Sequence, residues 1–227
     1  MSPAGRIEPR LPEVGRIRLG TKTRAANGKE RPADSETLIF TSASKGTLSR
    51  LAAVVGGAVE GWPNGQEPWR LTSAVDSLAV QVPPQAMREP CYEEWSAAGL
   101  LCRCDGETCE VPEDRPDGPV LVTQPCHCDP PDDMTCRVTT RLSVVLPQVP
   151  GLGVWTATTH SAIAAGELAG QLRLLQLSGS TGLVPATIAI ERERTRRGRA
   201  VPVLRLRFHV GLAELQGREA PAGELGA

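Results

Sequence analysis

The stretch Thr37-Leu38-Ile39-Phe40-Thr41-Ser42-Ala43-Ser44-Lys45-Gly46-Thr47-Leu48, running on to Val55-Gly56-Gly57, sets the fold class. Thr37 to Thr41 is β-branched, apolar and aromatic, which suits a strand. The serines at 42 and 44 offer side-chain oxygens to cap a helix over Lys45–Val55, and Gly56-Gly57 closes it. Working outward, Trp69, Leu71 and Ser73 alternate with polar residues, and Leu78 to Val82 stops at Pro83-Pro84. Both read as short strands, so the first half is β-α-β-β. The same order returns beyond residue 137. Val138 to Leu146 and Gly153 to Ala157 read as strands, and Thr158 and Thr159 cap a helix over about Ser161 to Leu177, where Ile163, Leu168, Leu172 and Leu175 recur at helical spacing. Thr187 to Arg194 and Val201 to Val210 then form a hairpin around Thr195-Arg196-Arg197-Gly198-Arg199. The expected fold is α+β, two β-α-β-β-like units sharing one core, with the element order repeated and no long sequence identity between the halves.

The flanks divide the chain further. Residues 1–34 read as a basic extended arm, with Pro3, Pro9, Pro12 and Pro32 blocking helix. The α+β core is expected over 35–212, interrupted by a cysteine-rich insert at about 90–137 that is acidic, rich in Pro and Gly, and poor in apolar residues. Residues 213–227 hold too little apolar material to order a tail. The 227 residues, 40% hydrophobic and 22% charged, suffice for one sizeable core. Lys+Arg at 25 against Asp+Glu at 26 leaves no global positive excess for nucleic acid. No apolar run approaches the ~20 residues of a membrane helix, and the Arg-rich opening lacks the apolar segment of a secretory signal, so a soluble cytoplasmic protein is expected.

All seven cysteines fall between Cys91 and Cys136. Without a secretion signal, an odd number confined to one stretch points to a metal site and not to disulfides. The pairs Cys102-Arg103-Cys104 and Cys126-His127-Cys128, followed by Cys136, lead to Cys104, Cys126, Cys128 and Cys136 as ligands of a structural zinc ion. Cys91, Cys102, Cys109 and His127 are reserves. Such an ion would cross-link a segment that cannot bury its own core.

Signatures of catalysis are missing: no Gly-x-Ser-x-Gly, no His-Glu-x-x-His, no phosphate loop. His160 with Glu167 could be imagined as an acid–base pair, though a polar residue at the start of a helix is the simpler reading, and His209 reads as a sheet residue. Arg196, Arg197 and Arg199, with arginines on the flanking strands, form the charge-based candidate for a partner contact. Trp62, Trp69, Tyr92, Trp95 and Trp155 read as core anchors.

Several segments together resemble the recombination directionality factors of actinobacterial temperate phages that use large serine integrases. They are Leu11-Pro12-Glu13-Val14-Gly15-Arg16-Ile17-Arg18-Leu19-Gly20, Phe40-Thr41-Ser42, Gly56-Gly57 with Trp62, Tyr92-Glu93-Glu94-Trp95, Arg103-Cys104-Asp105-Gly106, Cys126-His127-Cys128, Cys136 before Thr140-Arg141-Leu142, and Gly151-Leu152-Gly153-Val154-Trp155 leading to Thr159-His160-Ser161. The resemblance spans about residues 10–212. It implies a non-catalytic accessory protein that binds the integrase on DNA, activates excision (attL × attR) and inhibits integration (attP × attB), touching DNA only through the integrase. A zinc-dependent hydrolase and a direct DNA binder are the competing expectations.

Overall fold

A computed structural model describes residues 11–24, 30–63, 66–84, 86, 91–96, 99–116, 118–126, 136–149, 151, 153–195, 198–211 and 214. The chain opens with β1 (Glu13–Arg24), β2 (Glu30–Ser42), α1 (Lys45–Val55), β3 (Ala58–Gly61), β4 (Trp69–Thr72) and β5 (Ser77–Val82). Four strands follow in the cysteine-rich stretch: β6 (Cys91–Ser96), β7 (Gly99–Cys104), β8 (Thr108–Glu113) and β9 (Val120–Pro125). The chain then runs through β10 (Arg137–Val144), β11 (Val154–Thr159), α2 (Ala162–Leu177), β12 (Val184–Arg194) and β13 (Ala200–Phe208). Ten strands make one sheet in the order β3-β4-β2-β1-β11-β10-β6-β7-β8-β9, and β13-β12-β5 make a second.

Both helices begin where serine supplies a cap. Ser44 Oγ accepts from the Thr47 amide at 3.2 Å and Ser161 Oγ from the Ala164 amide at 3.3 Å, each satisfying a first-turn N–H. Gly56, at φ 69°, ends α1. Gly57 follows at φ +91°, and a Cβ there would lie 2.0 Å from the Thr72 carbonyl oxygen, so glycine is required on both counts.

One row of paired residues carries the core across five strands. Leu71 faces Phe40, Phe40 faces Ile17, Ile17 faces Ala157, and Ala157 faces Leu142. All five are at most 1% exposed. Against this face pack Leu48, Leu51 and Val55 of α1, Leu168, Leu172 and Leu175 of α2, and apolar residues of the three-stranded sheet, in one continuous cluster. Phe40 meets Trp155 edge-on, ring centroids 5.6 Å apart. A bridge from Gln81 to Val145 ties the two sheets together.

The structure departs from the sequence expectation in four places. From Glu13 onward the basic arm is sheet: β1 lies between β2 and β11, parallel to the latter, and Ile17 is 1% exposed. Its arginines disguise the strand because they alternate with Gly15, Ile17 and Leu19, so one face is charged and the other enters the core. The cysteine-rich insert, in which the sequence pattern marks no strand, holds four: β6 pairs with β10, and β7, β8 and β9 extend the large sheet outward. Within the expected repeat, β2 and β4 of the first unit share the large sheet while its β5 joins β12 and β13 of the second, which leave β11. The order of elements recurs, and the topology does not. Finally, Trp155 is the buried anchor expected, but Trp95 is 57% exposed.

Candidate functional site

Strand alternation that sends one row into the core turns the next row to the opposite face. There, Arg16 and Arg18 of β1, Thr156 and Thr158 of β11, Thr139 and Arg141 of β10, Glu93 of β6 and Arg103 of β7 line an open cleft of about 1440 Å³. At its end lie His160 and Ser161, which lead into α2.

Two buried carboxylates organise this face. The Glu93 side chain is fully buried, yet it accepts from Arg141 at 2.8 and 2.5 Å, from Arg103 Nε at 2.9 Å and from the Trp95 indole N–H at 2.9 Å. Burial pushes its pKa up, but the hydrogen bonds from Arg141, Trp95 and Arg103 outweigh that and hold it at about 2. The second, Glu67, accepts from Arg18 at 2.6 Å and from Thr41 Oγ1 at 2.8 Å, with Arg16 Nε at 3.1 Å. Glu93 therefore pins arginines of β7 and β10, Glu67 pins two of β1, and together they give the cleft a fixed pattern of donors.

The cysteines segregate by face. Cys91 pairs in register with Thr139, and its Sγ lies 3.8 Å from Glu93 Oε1 and 3.7 Å from the Thr139 carbonyl oxygen, on the cleft side. Cys104 is paired with Cys109 across β7 and β8, and by alternation Cys102 shares their face, opposite to Arg103. Cys104, Cys109 and Cys136 are buried. Burial raises the Cys104 thiol to about 11, helped by a side-chain hydrogen bond with Cys126. The structure thus places Cys104 beside Cys126 and sets Cys91 apart from them. Cys128 and His127 lie outside the described residues. Among the described residues no group of three His, Cys, Asp or Glu side chains is arranged to hold a metal ion.

The remaining candidates are partly absorbed by local chemistry. His160 Nδ1 lies 3.0 Å from the Val138 carbonyl, to which it donates, while Glu167 pairs with Arg205 on β13, so the two do not meet as an acid–base pair. His209 hydrogen-bonds Thr187 Oγ1 at 2.8 Å within the small sheet. On the hairpin, Arg199 is exposed, and Arg196 and Arg197 lie outside the described residues. The flanking arginines are engaged internally, Arg205 by Glu167, Glu191 and Glu193, Arg207 by Glu191, and Arg192 by Glu36. Sequence reasoning did not single out Glu93 or Glu67. Glu93 sits in the conspicuous Tyr92-Glu93-Glu94-Trp95 segment, but its arginines come from two other strands.

What these features define is an α+β protein built on one broad sheet, with a rigid charged cleft on one side and a cysteine-bearing extension. A family model described as Gp3-like, recombination directionality factor-like, matches residues 14–209. The chain belongs to this family, whose role lies in the control of recombination. Comparison with curated proteins and with solved structures returns no match. No helix among the described residues is long and apolar enough to cross a membrane.

Proposed function

We propose that the protein is a non-catalytic recombination directionality factor that binds a large serine integrase on attachment-site DNA in the bacterial cytoplasm, activating attL × attR excision and inhibiting attP × attB integration. The family match over residues 14–209 carries this reading, because it covers core, cleft and cysteine-bearing strands together. The assignment to an actinobacterial phage integrase system follows from the segments quoted above. Physically, the factor acts as a ligand that prefers one arrangement of the integrase complex, and it moves the equilibrium only by its difference in affinity for the two.

A structural zinc ion belongs to the proposal, with Cys104, Cys126, Cys128 and Cys136 as its ligands and Cys102 and Cys109 as reserves. The observation that favours it is the contact of Cys104 with Cys126 on a face where Cys109 and Cys136 are also buried. Thiols that burial keeps protonated become compact anionic ligands once a cation replaces the protons. The zinc would supply cross-linking free energy where apolar burial is scarce.

The deciding experiment is recombination by purified cognate integrase on attL × attR and attP × attB plasmids, with and without this protein. Excision that appears, and integration that falls, only when the protein is added is the expected result. No change in either reaction with folded protein refutes the assignment. For the metal, protein purified without chelator is expected to carry about one zinc per chain, and stripping it should loosen β6 to β9 in hydrogen exchange while α1 and α2 stay protected.

A further inference from the structure

We infer that the cleft-side face of the β6–β9 extension is the surface that docks the recombinase, through a partner surface with an apolar centre and a Lys/Arg rim. The inference rests on the directionality-factor reading and adds the place of contact.

Register fixes which side chains share this face. Glu93 faces Arg103, Arg103 faces Glu110, and Glu110 faces Thr123, so this row points one way across four strands. Two residues further along each strand on the same face come Leu101, Pro112 and Leu121, with Pro112 and Leu121 directly paired. A bulge separates Glu94 from Trp95, and the Trp95 indole nevertheless donates to Glu93, which puts it on the same side. Trp95, Leu101 and Leu121 are 57%, 45% and 50% exposed, and register brings all three to one face of adjacent strands. The stripe crosses β6 to β9, roughly 14 Å at the usual strand spacing.

Charge argues for the occupant. Glu110 lies on the stripe's face and Asp105, Glu107 and Asp114 on the turns at its ends, against Arg103 and Arg115. An apolar stripe with a tryptophan held in place by a buried carboxylate and an acidic rim is the arrangement in which an aromatic anchor supplies affinity and the rim supplies orientation and on-rate. The complementary partner is basic at its edge. The arginine hairpin is the weaker candidate because Arg192, Arg205 and Arg207 already hold glutamates of this chain.

The test uses the full chain and full-length cognate integrase. Leu101→Asp with Leu121→Asp alters two exposed positions, and should weaken integrase binding by about thirtyfold or more with an unchanged melting temperature. Trp95→Ala should weaken it comparably. Glu110→Lys with Asp114→Lys should slow association and flatten its salt dependence, while Arg199→Glu should leave affinity within about twofold. Wild-type affinity in the Leu101/Leu121 variant, or loss of self-association with integrase binding intact, overturns the inference and leaves the directionality reading standing. A wild-type chain that neither binds integrase nor changes attL × attR recombination sinks both.

Discussion

The two ends of the large sheet are held by different means. From β4 to β10, a row of residues at most 1% exposed packs under two helices and a second sheet. From β6 to β9 the strands project beyond that cover, and the interactions that mark them are the Glu93 network and the clustered cysteines. One continuous hydrogen-bonded sheet therefore joins a region stabilised by apolar burial to one stabilised by charge pairing. The first should respond to cavities, and the second to pH.

Phe40→Ala should have the largest effect, because it empties a fully buried site against Trp155. A loss of about 3–5 kcal/mol, or roughly 6–20 °C in Tm, is expected by calorimetry or denaturant melting, with the whole chain unfolding as a unit. If only the helices loosened, the single core described above would be wrong.

Acid should distinguish the other end. Glu93 has a pKa of about 2 in the folded protein against an ordinary 4.5, so its contribution is fully present above pH 4.5 and is lost as pH falls towards 2. The difference corresponds to about 3 kcal/mol. Hydrogen exchange in β6 and β7 should accelerate across that window before the core does. Glu93→Gln should remove the acid step and cost about 2–3 kcal/mol at neutral pH, since two arginines lose their shared anion. An unchanged acid profile in that variant would show that another carboxylate governs this end.

The smallest effect belongs to the small sheet. Arg205 pairs with partly exposed Glu167, Glu191 and Glu193, and Arg205→Ala should shift stability by about 1 kcal/mol or less, more at low salt than at high. A larger loss would mean that the contrast between the two ends is drawn too sharply.

Legibility in the sequence follows the same division. Both helices were readable to within a residue, because capping residues and apolar spacing are local signals, although α2 is capped by Ser161 and not by the expected Thr158 or Thr159. Strands β10, β11, β12 and β13 were visible in runs of β-branched and apolar residues. β1 was hidden by arginines on its outer face, and β6 to β9 by the Pro, Gly and acidic residues that make the region look unstructured. Glu93 could not be recognised from its neighbours, since Arg103 and Arg141 reach it from β7 and β10. The cysteine cluster was legible as a composition, but the split that sends Cys91 to the cleft depends on strand register, which no single segment encodes.

The parallel pairing of β1 with β11 has a consequence for how the chain is made. Glu13 meets Val154 and Ile17 meets Ala157, partners synthesised about 140 residues apart. During translation, the β1–β2 hairpin leaves the ribosome with one edge open, and that edge stays open until β11 follows it. Closing so long a loop is entropically slow. The nascent chain therefore carries an exposed strand edge for most of its synthesis, and the arginines of β1, charged along that strand, are suited to keep neighbouring chains from pairing with it in the meantime.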